Sequence, residues 1–395
     1  MGQTVRVTLP GYEAGTDTNL DHYALYADVD NVLIKNQSTG VGTLSSSSIG
    51  TITHNLEYIP FYAVYAKTHY YLDNRYIPVN NQYNAFQVPD IISGVNGSQL
   101  LIRNFQGTEI PYGYDIFYDD MSQTGTPAIS ESSHVFKVTR PGKDGTSTNP
   151  NDYIMHSDLN NFKILKQGTS AVTLNTWNMG TVVHNANIIT PYKYFAYLKY
   201  PDGKVGITGW SQGMSYDENY TVFTSLDGTN LYFEGNGTFA GTAAYFIYGS
   251  GTSGVTGGYG IAVSKAGYEA GTDTNPDHYN FHSNYNSLKY YKSGSYVMNN
   301  ITSTTYGTVA HNLGYTPFFA GFSNDFTGIL GTDVYAMVPY YFGNSIAPDY
   351  PNRDIGAFMY ADGTNLYCKA WFDTNAVGTY TFTFYYKIFK NNLGL

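Results

Sequence analysis

Apolar and polar residues alternate with a period of two along several stretches of this chain. In YTFTFYYKIF, residues Tyr380, Phe382, Phe384 and Tyr386 fall on one face of an extended strand. ITPYKYFAYLKY from Ile189 alternates in the same way, and IPFYAVYAK from Ile59 is a short apolar-aromatic run. No i, i+3, i+4, i+7 stripe is sustained, and Gly, Thr, Asn and Tyr stand where a helix would use Ala, Leu, Glu and Lys. The pairs Asn96–Gly97, Asp227–Gly228 and Asp362–Gly363 predict hairpins closed by type I′ turns, in which both central residues have positive φ. The pattern predicts an all-β protein of short antiparallel strands.

The pattern also recurs on a longer scale. GTITHNLEYIPFY, GTVVHNANIITPYKYF and GTVAHNLGYTPFF place His54, His184 and His311 in one frame. An earlier element, PGYEAGTDTNLDHY, PGKDGTSTNPNDY or AGYEAGTDTNPDHY, precedes each at 43, 42 and 44 positions, counted from Gly11, Gly142 and Gly267. The hairpin pair and then an aromatic strand close each copy. Four landmarks in one order, three times, predict a triplicated unit of roughly 130 residues. The expected architecture is three tandem homologous antiparallel β-sandwich or barrel domains over 1–120, 135–248 and 259–395. Gly/Ser/Thr-rich linkers are expected at 121–134 and 249–258, and each copy is long enough to hold its own core.

Composition narrows the function. Charged residues make up 13%, and the net charge is −10 with 20 Lys plus Arg and no basic cluster. Nucleic acid as a partner is therefore not expected. No apolar run approaches a membrane span, and MGQTVRVTLPGY has no secretory pattern, so neither a membrane partner nor export by a signal peptide is expected. The single cysteine, Cys368, sits in LYCKAWF and is expected to be a buried apolar side chain.

Candidate chemistry is sparse. His54–Asn55, His184–Asn185 and His311–Asn312 could each supply a general base, but no nucleophile elbow or His-Glu-x-x-His pair accompanies them. Their recurrence points to scaffold. A His-Asn pair entering a turn such as that containing Gly314 and Pro317 can satisfy backbone groups left unpaired there. Carboxylates recur in the arms, with Asp17 and Asp21 matching Asp273 and Asp277, and Glu13 matching Glu269. They are read as turn formers, as are the arm histidines His22, His156, His278 and His282. DVDN at Asp28 lacks the ligand spacing of an EF-hand, so no metal or other cofactor is expected. Tyrosine is the outlier at 41 residues. Tyr70, Tyr71, Tyr76, Tyr340, Tyr341 and Tyr350 lie between the His element and the Gly hairpin and are candidates for surface contact, since exposed rings offer rigid amphipathic area.

The arm VSKAGYEAGTDTNPDHYNFHSNYNSLKYYKSG followed by GTVAHNLGYTPFF resembles repeats in structural proteins of tailed bacteriophages, of tail, fibre or decoration type. The likeness covers about half of the chain. It is clearest in the last copy and weakest in the middle one, where HNANIIT replaces the Gly-Tyr turn; Glu57 stands in the first copy where the last has Gly314. It implies a non-enzymatic virion protein made in the host cytoplasm, with other virion proteins and host-surface glycan as partners. A homo-oligomer is expected, with a trimer the natural symmetry. A cellular carbohydrate-binding adhesin and a glycan depolymerase are the alternatives.

Overall fold

The computed structural model describes residues 5–13, 16–17, 22–26, 33–67, 76–79, 82–83, 91–105, 107–119, 136–140, 146–147, 152–157, 159, 162–174, 180–186, 193–200, 203–208, 221–236, 239–248, 261–264, 267–268, 279–283, 285–324, 333–342, 355–372 and 378–395. The expected linkers 121–134 and 249–258 lie outside these residues.

The first third contains β1 (Arg6–Thr8), β2 (Tyr23–Tyr26), β3 (Lys35–Leu44), β4 (Ile49–Thr53), β5 (Tyr62–Lys67), β6 (Tyr76–Pro78), β7 (Gln82–Tyr83), β8 (Ile91–Val95), β9 (Gln99–Asn104) and β10 (Ile110–Tyr118). The middle third contains β11 (Lys137–Thr139), β12 (Tyr153–His156), β13 (Lys163–Leu174), β14 (Gly180–Val183), β15 (Lys193–Lys199), β16 (Val205–Ile207), β17 (Thr221–Leu226), β18 (Asn230–Asn236) and β19 (Phe239–Tyr248). The last third contains β20 (Ala262–Ser264), β21 (Tyr279–His282), β22 (Asn286–Ser287), β23 (Tyr290–Ile301), β24 (Thr305–Ala310), β25 (Pro317–Asn324), β26 (Tyr335–Met337), β27 (Tyr340–Phe342), β28 (Ile355–Ala361), β29 (Asn365–Phe372) and β30 (Tyr380–Asn392). The protein is nearly all β, and almost every strand pair is antiparallel.

The three large sheets do not follow the thirds of the chain. Sheet I runs β3–β10–β5–β6 from the first third and continues β17–β18–β14 from the middle third. Sheet II runs β13–β19–β15–β16 from the middle third into β28, β29 and β24 of the last. Sheet III runs β23–β30–β25–β26 from the last third into β8–β9–β4 of the first. The sharing therefore closes a ring. Its seams match residue for residue: Leu226 pairs Tyr76, Ala361 pairs Val205, and Val95 pairs Tyr335. Each seam residue from the three-stranded half directly precedes the Asn or Asp of its hairpin. Strands β3 and β4, β13 and β14, and β23 and β24 are consecutive in the chain but lie in different large sheets, so each pair forms a corner between two sheets.

Separate cores, one for each third, are what the sequence suggests; the structure has one core through all three. Ile34, Phe61 and Phe117 of the first third, Phe162, Phe195 and Tyr248 of the middle, and Phe318, Phe384 and Phe389 of the last belong to a single buried cluster. The reason lies in the seams: β15 is buried along nearly its whole length rather than alternately, because both of its faces are covered. Rings meet across the thirds in one repeated arrangement. Tyr65 lies against Tyr194 with centroids 6.0 Å apart, Tyr197 against Phe319 at 5.4 Å, and Phe322 against Tyr62 at 5.2 Å. The hydroxyls of Tyr65 and Tyr197 each donate 2.7 Å to the backbone carbonyl of the facing residue, Tyr194 and Phe319.

The arms form a second, smaller core. Hairpins β1–β2, β11–β12 and β20–β21 gather Leu25, Met155 and Phe281 together with Ala24, Leu33 and Ile154. Backbone bonds tie the arms to one another and to the body: Leu33 N–H donates to the Ile154 carbonyl, Ile34 N–H to Leu288 and Phe162 N–H to Ile34. Each arm thus packs on its neighbours.

Glycine in the long strands at the corners is matched by tyrosine. Gly40 pairs Tyr114, Gly168 pairs Tyr245 and Gly294 pairs Tyr386, and a Cβ at each glycine would collide with the facing ring at 2.7, 2.8 and 2.5 Å. The ring covers the strand that glycine leaves bare.

Two substitutions probe the ring. Phe318 touches Phe195 and Phe246 of the middle third at 5.1 and 5.2 Å, and Phe318→Ala is expected to lower unfolding free energy by about 3–5 kcal/mol in urea titration. Tyr197→Phe keeps the ring but leaves the Phe319 carbonyl without its donor, and should cost about 1–2 kcal/mol in the same measurement.

Candidate functional site

The histidine motif forms at the foot of each three-stranded half-sheet. β4, β14 and β24 each lead directly into the histidine, whose backbone N–H donates to a carbonyl in the neighbouring hairpin: Ser98 at 2.8 Å, Thr229 at 2.9 Å and Thr364 at 2.9 Å. The asparagine after it turns into the left-handed region, with φ of 52° at Asn55, 49° at Asn185 and 56° at Asn312. Asparagine tolerates this conformation better than most residues. The chain thereby doubles back and presents the next N–H to the imidazole.

Nδ1 accepts from the amide two residues on: Leu56 at 3.2 Å, Ala186 at 3.0 Å and Leu313 at 3.2 Å. Nε2 donates 3.1 Å to the carbonyl of Asp227 in His184 and of Asp362 in His311. His54 makes the first bond, while its buried Nε2 forms no second hydrogen bond of this geometry. The imidazole therefore works as a neutral clip between turn and hairpin, with the proton on Nε2 where both bonds form. Burial lowers the pKa of all three, outweighing in His184 and His311 the opposing pull of the Asp227 and Asp362 carbonyls.

The hairpins themselves form, but not as type I′ turns. None of Asn96, Gly97, Asp227, Gly228, Asp362 and Gly363 has positive φ. The Asn or Asp side chain closes the turn instead: Oδ1 accepts from the next two amides but one, Ser98 and Gln99 at 2.9 and 2.7 Å, Thr229 and Asn230 at 2.8 and 2.7 Å, and Thr364 and Asn365 at 2.7 and 2.8 Å. A side-chain acceptor that captures two amides removes the need for a left-handed backbone. Where the residue is Asp, its second oxygen takes a tyrosine hydroxyl, Tyr232 at 2.7 Å and Tyr367 at 2.6 Å. Where it is Asn96, that acceptor is gone and Leu101 stands in the tyrosine's place. Burial pushes the Asp362 carboxyl up, but Tyr367 and the Asn365 and Thr364 amides outweigh it and hold the pKa below the usual value.

The remaining candidates are scattered. Gly314 takes positive φ of 77° behind His311, and Pro317 opens β25. Asp17 Oδ2 accepts from His22 Nδ1 at 2.7 Å, with Tyr12 stacked on that imidazole at 3.7 Å, so this carboxylate serves its own arm. Cys368 is buried, and burial pushes its thiol up to about 12. Asp21, Asp28, Asp273, Asp277, Tyr70, Tyr71 and Tyr350 lie outside the described residues. Tyr76 belongs to β6, and Tyr340 and Tyr341 to β27. Among the described residues no group of three His, Cys, Asp or Glu side chains could hold a metal. A cavity of about 10 Å³ between Tyr65, Tyr194 and Thr208 has room for one water, which is too little for an organic ligand.

Lys35 plays a part that the sequence pattern did not single out. Wholly buried, its Nζ donates to the carbonyls of Leu33 at 3.0 Å and of Tyr153 at 2.6 Å, joining the first and middle thirds at the base of the arms. Burial, with the nearby Arg140 charge, lowers its pKa to about 7. Lysines at the matching places, Lys163 and Lys289, were the legible signal, since both are also buried. The chain matches no protein-family model, and comparisons with curated proteins and with solved structures give no match either.

Two results test the clip. A histidine whose folded pKa is depressed binds fewer protons folded than unfolded. Its contribution is complete above the ordinary value of about 6.5 and is lost as pH falls from there through the folded value. Thermal midpoints should therefore fall on acidification below about pH 6.5, and less steeply in His311→Gln. Glu57 holds φ of 62° where Gly314 holds 77°, and a Cβ at Gly314 would meet nothing within 4 Å. Backbone strain alone should make Glu57→Gly stabilising and Gly314→Ala destabilising, each by about 1 kcal/mol in denaturant unfolding.

Proposed function

We propose that the chain is a non-enzymatic structural protein consisting of three tandem copies of one β unit, fused so that a single polypeptide takes the place of a homotrimer. The observation that carries this reading is the closed ring of shared sheets, in which matching residues meet at three matching seams. Three separate chains with this fold would associate about a threefold axis in the same way. On this reading threefold symmetry lies within one molecule.

Rings of intertwined β units suit a part that must survive outside a cell. Strand pairing holds the three thirds together without a disulfide, since Cys368 is the one cysteine in the chain. This agrees with the resemblance to tailed-phage structural proteins, and we assign the protein to the virion, at a tail tip, fibre or capsid surface. Its partners would be other virion proteins. The Tyr-rich segments 68–76 and 338–354 would contact a host-surface glycan, since the interval from the histidine to the hairpin is 51 positions in the last copy and 43 in the middle one while the scaffold repeats.

The informative experiment is antibody-gold labelling, together with density assignment, on purified particles from the producing host. Labelling at a defined place on the particle is the expected result. Absence of the chain from purified particles that contain the other structural proteins would refute the virion assignment.

A further inference from the structure

The first and middle thirds meet through a buried amine and carboxylate at a place where the repeat does not require them. Lys193 opens β15, and Phe61 and Phe318 stand at its position in the other thirds. Asp115 follows Tyr114 on β10, and the residues that follow the matching Tyr245 and Tyr386 are Phe246 and Lys387. No other third therefore combines an amine and a carboxylate at these two positions. A buried ion pair does little for net stability, so stability does not explain the exchange.

The geometry is that of reactants held together. Lys193 Nζ donates 2.7 Å to Asp115 Oδ1 and 3.1 Å to Thr39 Oγ1. The lysine side chain is 10% exposed and the aspartate 1%. A contact of this length to one carboxylate oxygen sets the nitrogen about 3–4 Å from the carboxyl carbon, which overlaps the separation of a near-attack pair. Asp115 Oδ2 is buried and forms no hydrogen bond, so no donor fixes that oxygen as an anion. Tyr65 and Tyr248, with hydroxyls 2.9 Å apart, close the space beside Asp115. Burial raises both hydroxyls well above the usual tyrosine value, so they stay protonated and add no charge.

We propose that Lys193 and Asp115 condense to an amide, an isopeptide cross-link between the middle and first thirds. Nζ first passes a proton to the carboxylate and then attacks the carboxyl carbon. A C–N bond forms, a C–O bond breaks, and a second proton from nitrogen leaves with that oxygen as water. Nothing is oxidised or reduced, and no further reactant enters. Free ammonium and carboxylate resist condensation in water, but two features oppose that here. Fixed neighbours react with effective concentrations of about 10⁵–10⁸ M. The amide also removes two charges whose desolvation is costly. The second buried pair differs: Asp119 Oδ2 accepts from Lys387 Nζ at 2.8 Å and from the Phe61 N–H at 3.1 Å. That backbone donor favours the carboxylate, so this pair stays ionic. The cross-link rests on the contact between thirds and not on the virion assignment.

Intact-mass spectrometry of the purified, denatured full-length chain tests it. The wild type should be one water lighter than its sequence, with the N-terminal methionine allowed for. Fragmentation of a tryptic digest should place the loss in a branched peptide that joins Asp115 to Lys193. Lys193→Arg keeps the cation but removes the attacking amine, and should show the full mass and no branched peptide. Should that variant fold poorly, the wild-type mass and digest decide by themselves. A wild type with the full mass of its sequence, or a lost water that the fragments place elsewhere, would overturn the assignment.

Discussion

A sheet that stops leaves a row of backbone N–H and C=O groups without partners, and burying that row is costly unless another strand meets it. In this protein the row at the end of each four-stranded half is met by a strand from the next third of the chain, at Tyr76, Val205 and Tyr335. Much else follows from that constraint. Because the last third returns to the first, no third can be withdrawn without opening two sheets. The aromatic residues behind the seams become common property, so Phe61 packs on Phe195 of the middle third and Phe389 of the last, with centroids 5.5 Å apart in both pairs.

On the proposed reading, fusion into one chain also lets the copies diverge where a true trimer could not. The pairing registers set Lys193 in the place that Phe61 and Phe318 hold in the other thirds. Its Nζ reaches Asp115 of the first third at 2.7 Å, and Lys387 of the last third reaches Asp119 at 2.8 Å. Both pairs are almost fully buried, and such pairs do little for net stability. They do distinguish one arrangement from another: a different order of thirds around the ring would strand a buried charge, at about 3–5 kcal/mol.

The fold class was legible because strand period and the absence of helical stripes are local properties. The hairpins were legible for the same reason, although Asn96, Asp227 and Asp362 close them through their side chains. The role of the histidine could be argued from recurrence, but its bonds could not, since the carbonyls that His184 and His311 reach lie 43 and 51 residues away. What stayed hidden was the ring. A half-sheet that joins its own third and one that joins the next have the same periodicity and the same turns. The difference sits in backbone groups, which all residues share. Lysine 35 was missed for a related reason: a lysine entering a strand reads as solvated until its surroundings are known.

The ring of shared sheets predicts that the three thirds unfold as one body. Scanning calorimetry of the intact chain measures this directly through the ratio of calorimetric to van't Hoff enthalpy. A single transition with the two enthalpies equal is the expected result. Two or three resolved transitions, each with the enthalpy of a third of the chain, would contradict it.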